Sequence, residues 1–473
     1  MLRTKNGEIS TSAAELSVAC GERLSVHRFS VQEAVSELFS VQVLARSVSA
    51  SIDLREVVGQ PAALTLLDVS RRWCGVCNRA RLVEAVEVGD GEAGLSTYEL
   101  TLVPWLWWLT QRTQYRIFQR RSAYEVVREV LDEWGFGPEV TWRIDDAQLP
   151  RRPYLVQYGE TDLGFVSRLL EEAGIAYCFS DEGSEGTQLV LSDRLHECAP
   201  RRTPALVHVE RPAERVLREF ATRVSIAEEI RPESVVLRDH DFRRPAWALR
   251  GEARRGSRGV GEVERYAPGA FLVERGGGGG GAVHEDRYGA TLAARALESA
   301  RTGGCLVRFE TNAIDLRPGT IITLEGHPRE ELGMSAPLLV TAIRIEGSRQ
   351  GDWTARAEAV PAAMPYRPAQ RTPKPKVAGV QSATVIGPRG QEIHTDEHGR
   401  VQVQFPWDRE EQGSCWLRVA QGWAGAGLGL FALPRVGQEV LVGFLEGDPD
   451  QPVVVGRLSN ALNPPPLKLP DEK

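Results

Sequence analysis

The sharpest candidate for chemistry in this chain is His394-Thr-Asp-Glu-His398. It fits the H-x-x-E-H pattern, in which two histidines hold zinc and the glutamate activates a water bound to it. Such a site needs both histidines on one helix face, a turn apart. The flanking residues deny that helix. Gly387-Pro-Arg-Gly390 precedes the motif, Gly399 follows it, and Val401-Gln-Val-Gln-Phe405 alternates with period two. That reads as a hairpin, whose side chains point in divergent directions. No third ligand follows from spacing. The two histidines are expected beside a turn, facing solvent.

The other reactive residues do not assemble a centre either. Cysteines at 20, 74, 77, 178, 198, 305 and 415 make an odd set of seven, against a disulfide framework and for a reducing compartment. Cys74-Gly-Val-Cys77 is the single CxxC, and a zinc ribbon needs a second pair. The glycines 276–281 lack the Lys-Ser/Thr or downstream acid of a phosphate loop and read as a surface loop. Trp105, Trp107 and Trp108 beside Pro104 could form a sugar platform, but in an apolar strand run they are expected as core or interface anchors. No G-x-S-x-G elbow occurs. No catalytic, cofactor-binding or metal-ligating residue is assigned, and no cofactor is expected.

The elements that surround these residues are mostly short strands and turns. With 473 residues, 46 glycines and 28 prolines, the chain should hold more than one domain, rich in β structure. Ser36–Leu44 and Tyr98–Val103 read as strands. Ser122-Ala-Tyr-Glu125 is a capping box opening a helix that stops at Gly135. A second helix opens near Thr161 or Asp162 and ends at Gly174; a weaker helical run covers 290–300. Five prolines within 361–375 mark a stiff, extended linker. Beyond it, strands are predicted at Gln381–Ile386, Arg400–Phe405, Cys415–Ala420, Glu439–Phe444 and Pro452–Leu458, enough for a small barrel. Trp416 and Trp423, by the glycine-rich 422–429 turn, suit either subunit contacts or the barrel core. The net charge of −7, and an acidic surplus in the last block, argue against nucleic acid. The longest apolar stretch, 103–109, is too short to span a bilayer, and no secretory signal is visible at the N-terminus.

Several ordered segments carry a family resemblance. Gly387–Asn460 resembles the OB-fold domain of VgrG spike proteins of type VI secretion systems. Arg152-Pro-Tyr-Leu-Val-Gln-Tyr-Gly-Glu-Thr-Asp162 with Arg168-Leu-Leu-Glu-Glu-Ala-Gly-Ile-Ala-Tyr177 resembles another VgrG signature, as do Leu102-Val-Pro-Trp-Leu-Trp107, Arg116-Ile-Phe-Gln119, Leu316-Arg-Pro-Gly-Thr320 and Leu324-Glu-Gly-His-Pro328. His398 stands where that family often has tyrosine.

The resemblance implies a mainly β fold with a few helices: phage hub-like β-barrel domains, then an OB-fold barrel. Residues 1–360 would be the phage baseplate hub-like region, with two β-barrel subdomains and helical insertions. Residues 361–376 would be the linker, 377–460 the OB collar, and 461–473 an extended tail where a β-helix needle would begin. The chain would then be either a piece of a longer protein or a natural short form. It implies a homotrimer without enzymatic activity, mounted on the Hcp tube among baseplate components. A PAAR tip and effector cargo would follow where a needle is present. The protein would be cytoplasmic before firing and secreted without a signal peptide. A phage or extracellular-injection hub subunit is the neighbouring alternative, and a zinc hydrolase using His394 and His398 the alternative of another class.

Overall fold

The computed structural model describes all residues except 1–13, 20–22, 68–70, 87–94, 182–185, 212–217, 257–258, 275–281, 350–352, 412, 468–469 and 471–473. Cys20, the glycines 276–281 and the end of the 461–473 tail therefore lie outside the described residues.

Twelve strands make one hydrogen-bonded sheet. Its order is Ala14–Val18, Pro61–Leu66, Arg71–Glu84, Ser96–Val103, Ser40–Ser47, Ser25–Ala34, Leu338–Ser348, Ile321–Glu325, Pro200–His208, Phe220–Glu228, Cys305–Thr311 and Trp353–Pro361. The strand Leu338–Ser348 is the common member of its two halves. One edge pairs with Trp353–Pro361, closing the last six strands into a barrel. On the other edge Leu338 and Leu339 pair with Ile321–Glu325, and Ala342–Ser348 pairs with Ser25–Ala34. Alternation along the strands aims one face at a shared core, as where Val41, Val43 and Ala45 are buried between more exposed neighbours.

In the last block the expected strands Arg400–Phe405 and Cys415–Ala420 shorten to Gln402–Gln404 and Arg418–Val419, and in the large sheet two further strand expectations shift. Ser36 sits at φ +60°, and its N–H donates to Tyr177 O, so the strand begins at Ser40 rather than Ser36. The tryptophan run leaves the strand at Pro104 and winds as a 3₁₀ turn over Trp105–Thr110, with Trp107 N–H donating to Pro104 O.

Among the described residues four α-helices interrupt the strands: α1 Leu54–Val57, α2 Ala123–Glu133, α3 Asp162–Ala173 and α4 Asp286–Arg301. The capping box of α2 is made. Glu125 N–H donates to Ser122 Oγ at 3.2 Å, and Ser122 N–H donates to the Glu125 carboxylate at 2.9 Å. In α3, Thr161 Oγ1 caps Gly164 N–H at 3.1 Å, and Gly174 takes the left-handed conformation that ends the helix. Two antiparallel strands, Thr113–Arg121 before α2 and Arg152–Thr161 before α3, form a ribbon of their own.

A small insertion packs α4 on the three strands Ser234–Asp239, Leu249–Arg254 and Glu262–Tyr266. The last part of the chain is a ring of five strands, ordered Gln402–Gln404, Gln381–Ile386, Glu439–Phe444, Pro452–Leu458, Arg418–Val419. A bridge between Val401 and Leu417, with N–H···O distances of 3.0 and 2.7 Å, closes it. Among the described residues no helix is long and apolar enough to cross a membrane.

The insertion depends on one close approach. A Cβ on Gly251 would lie 2.2 Å from the carbonyl oxygen of Gly289 in α4, where backbone meets backbone and cannot yield cheaply. Gly251→Ala is expected to lift α4 and cost about 1–3 kcal/mol, as overpacking does. Urea unfolding followed by circular dichroism measures this; an unshifted midpoint would show that the helix can slide aside.

Candidate functional site

Asp396 organises the segment that carries the H-x-x-E-H pattern. Its Oδ1 accepts the His398 and Arg400 N–H groups at 3.0 and 2.9 Å, and its Oδ2 pairs with the Arg400 guanidinium at 2.6 Å. Gly399 then turns at φ +67°. The motif is thus a tight turn rather than a helix, and its rings diverge. His394 packs on Trp416 with ring centres 5.0 Å apart, while His398 meets Phe242 edge-on at 5.3 Å. The expectation of two solvent-facing rings is corrected for His394, which Trp416 half-buries. Glu397 points into solvent beside His398. Among the described residues no three His, Cys, Asp or Glu side chains are grouped to hold a metal ion.

The remaining candidates sit apart from one another. Cys77 is buried and Cys74 half-buried in the strand Arg71–Glu84, and burial pushes the Cys74 thiol up. Burial likewise pushes Cys178 and Cys415 up to about 12, which keeps both as thiols at neutral pH. Trp105 is core: its indole N–H donates to Thr187 O, and its ring lies 4.1 Å from that of Phe136. Trp107 and Trp108 are half-buried, in edge contact with each other.

What the fold does bring together is the junction of ribbon and five-stranded barrel. Ile117, Tyr154 and Val156 of the ribbon share one buried cluster with Val385, Val401, Val403, Phe405, Leu417, Val440 and Val454 of the barrel. At its rim Trp407 donates its indole N–H to Gln381 at 2.9 Å and packs against Tyr115 and Tyr158. Asp450, 1 % exposed, projects from the Gly447-Asp-Pro-Asp450 turn. It accepts Val156 N–H at 2.7 Å and pairs with Lys374 Nζ at 2.5 Å. Lys374 also holds Asp448 at 2.7 Å. Burial alone would raise both acids. For Asp450 the charges of Lys374, Arg152 and Arg168 outweigh burial and hold it below the usual carboxylate range. Asp448 stays above that range, through burial and the Asp450 charge.

Neither Asp450 nor Lys374 stood out in the sequence. Asp450 lies in the turn that follows Gly447 and Lys374 in the proline-rich linker, and their pairing exists only once the barrel docks. That linker is strapped down along its length. Arg367 donates to Gly174 O, Asp193 O and Glu298 at 2.7–3.0 Å, and Thr372 N–H donates to Glu171 at 2.9 Å.

A second feature faces outward. Trp423–Gly425 and Leu428–Leu430 pair as a hairpin where only a glycine turn was expected. Trp423, Leu428, Leu430 and the adjoining Phe431 are 64 %, 68 %, 62 % and 68 % exposed. The structure thereby separates the two tryptophans that composition left equivalent. Trp416 is half-buried beside His394, and Trp423 is on the surface.

This architecture has known counterparts. Residues 32–351 match the profile of the phage tail baseplate hub (GPD), and residues 391–458 that of the type VI secretion system/phage-baseplate injector OB domain. The Pseudomonas aeruginosa type VI secretion system spike protein VgrG1b is 34% identical over 472 residues, covering 95% of this chain and 60% of that protein. VgrG1a of the same organism is 32% identical, covering 94% of this chain and 69% of its own length. The chain spans about three-fifths of VgrG1b, and 61% of VgrG1c, which is 34% identical. Among solved structures, the E. coli c3393 protein is a type VI secretion component described as similar to the T4 bacteriophage tail proteins gp27 and gp5. It superposes with a TM-score of 0.68 at 21% identity, covering 94% of this chain and all of its own. A chain of the Francisella PdpA–VgrG complex gives 0.57 at 9% identity, covering 92% of this chain and 67% of that one. At such identities the likeness is one of fold.

A hub profile over most of the chain, followed by an injector OB domain, defines the class: a phage-type baseplate hub joined to an OB barrel. Within that class, the chain belongs to the VgrG family of type VI secretion system spike proteins.

The Asp450 clamp makes the junction sensitive to acid. A carboxylate held below its unfolded value of about 3.9 contributes stability in full above about pH 5, and that contribution drains away as pH falls through the native value. Asp448, shifted the other way, does not supply this acid limb. Asp450→Asn keeps an acceptor for Val156 but removes the charge, so the fall in stability below pH 5 should flatten relative to the parent. Asp450→Ala also orphans Val156 N–H and should cost about 3 kcal/mol. Urea midpoints read through tryptophan fluorescence at pH 3 to 7 check both; parallel pH profiles for parent and Asp450→Asn would contradict the assignment.

Proposed function

We propose that this chain is the hub and collar of a type VI secretion spike, acting mechanically and without catalysis of its own. Residues 1–360 serve as the hub, 361–376 as the strap, and 377–460 as the OB collar. The observation that carries this reading is the continuous core between ribbon and barrel, which makes the two one load-bearing unit. A puncturing part needs such stiffness and has no use for a strained reaction centre.

The chain assembles as a homotrimer on the Hcp tube, among baseplate components. A PAAR tip and effector cargo belong to the full-length assembly. Before firing the protein resides in the cytoplasm, and it leaves through the type VI machine. The apolar hairpin at 423–431 supports the trimer. Four large apolar side chains in one exposed segment are unusual for a free surface and suit the core of a subunit contact.

Deleting the gene in its host is expected to abolish release of Hcp into the medium, with the intact gene restoring it. Normal Hcp release without it would sink the spike reading. In solution, light scattering should give a mass of about three times the 52.2 kDa chain. Trp423→Asp combined with Phe431→Asp should return it to the monomer value with unchanged circular dichroism. A trimer indifferent to both substitutions would place the subunit contact elsewhere.

A further inference from the structure

Where the ribbon, the insertion and the barrel meet lies a cavity of about 380 Å³, within the size range of small-ligand sites. The fold fixes its walls. Asp239 accepts Gly269 N–H and Phe271 N–H at 2.7 and 2.9 Å, holding the insertion loop in place. That loop approaches the barrel so closely that a Cβ on Gly269 would meet the Gln451 side chain at 2.0 Å.

The charges on these walls do not balance. Five arginines, at 120, 152, 243, 400 and 418, line the cavity against three carboxylates, Glu274, Asp396 and Asp450. Two of the three carboxylates are firmly engaged, and the third makes only a long contact. Asp396 holds Arg400 and two backbone N–H groups, Asp450 holds Lys374 and Val156 N–H, and Glu274 lies 3.9 Å from Arg120.

Three of the arginines instead crowd one ring. The guanidinium carbons of Arg243, Arg400 and Arg418 lie 5.0, 5.5 and 4.8 Å from the centre of Phe242. Arg243 has only a long contact to Asp241 at 3.8 Å, and Arg418 makes no ion pair among the described residues. Burial and the nearby Arg400 charge both hold the Arg243 guanidinium below its ordinary value. On the same wall His284, with its side chain 6 % exposed, sits between two carboxylates, its Nε2 and Nδ1 each 3.5 Å from Asp239 and Asp241 respectively, and so adds no free cation to the cavity. Asp396 neutralises Arg400, which leaves Arg243 and Arg418 without a close carboxylate at a half-enclosed wall, and guanidinium forks suit phosphate and carboxylate oxygens.

We propose that this cavity binds a small multivalent anion bearing phosphate or carboxylate groups, held between Arg243, Arg400 and Arg418. The bound anion would tie the loop between the strands Ser234–Asp239 and Leu249–Arg254, through Arg243, to Arg400 and Arg418 of the barrel.

Isothermal titration of pyrophosphate and, separately, of citrate into the full chain at constant ionic strength tests this. Saturable binding of either is expected, with the preferred titrant telling phosphate from carboxylate. Arg418→Gln, at an exposed and unpaired position, should weaken binding about tenfold or more, since it removes a charge-assisted contact. Arg308→Gln, which breaks the exposed pair with Glu358 far along the sheet, should leave it unchanged. Arg243→Gln is the second variant and should repeat the loss seen with Arg418→Gln. Failure of both titrants to saturate the parent, or equal affinity in the parent, Arg418→Gln and Arg243→Gln, would overturn the proposal.

Discussion

The ribbon Thr113–Arg121 and Arg152–Thr161 has two buried faces, and the rest of the structure depends on how they are divided. Phe118 and Leu155 point into the core of the large sheet, while Ile117, Tyr154 and Val156 point into the core of the OB barrel. A strand sends successive side chains to opposite faces, so two bodies can share a ribbon only if it is apolar on both. Tyr154-Leu155-Val156 is such a run. Ile117 and Val156, buried at the barrel, each contribute about 1.5–3 kcal/mol by removal from water. Hub and collar are therefore joined through common hydrophobic interior rather than through a hinge.

A two-stranded ribbon leaves backbone groups on its outer edges, and these must find partners where the edge is buried. Val156 shows how this is met. Its N–H donates to Asp450 from the collar, and its carbonyl accepts from Arg168 of α3 at 2.8 Å. Arg168 is in turn held by Glu160 at 2.7 Å. The same residue thus places a side chain in one core and binds charged groups from both bodies. Lys374 adds the strap between them, and without it Asp448 and Asp450 would face each other at an apolar boundary.

Local signals reveal much of this design and miss its junction for a definite reason. The capping box at Ser122, the Gly174 stop and the strands Gln381–Ile386, Glu439–Phe444 and Pro452–Leu458 are written in nearest-neighbour chemistry, and they stand where expected. Ser36 at positive φ and the 3₁₀ turn after Pro104 depart from a simple alternation because a backbone constraint overrides it. The Asp450–Lys374–Val156 clamp joins residues far apart in the chain, and none of them is unusual among its neighbours. Hairpin 423–430 was hidden by its glycines, which favour turns yet here allow two very short strands to pair. At the H-x-x-E-H pattern the flanking glycines predict a turn rather than a helix, and a turn forms at Asp396 and Gly399.

Force applied to the collar has a short route into the hub under the proposed mechanical role. The ribbon leads directly into both long helices of that region: Arg121 precedes the Ser122 cap of α2, and Thr161 is itself the cap of α3. Both helices present Val127, Val130, Leu131, Phe165, Leu169 and Leu170 to the hub core. A close-packed interior yields little before it breaks, so a load entering at Tyr154 and Val156 is spread across many contacts in the sheet body. Arg367, pinned to the end of α3 and to α4, keeps the strap from paying out when collar and hub are pulled apart. A flexible linker at 361–376 would have concentrated that load on the ribbon alone. The observed strap divides it, and that is the physical advantage of an extended proline-rich segment fixed along its length.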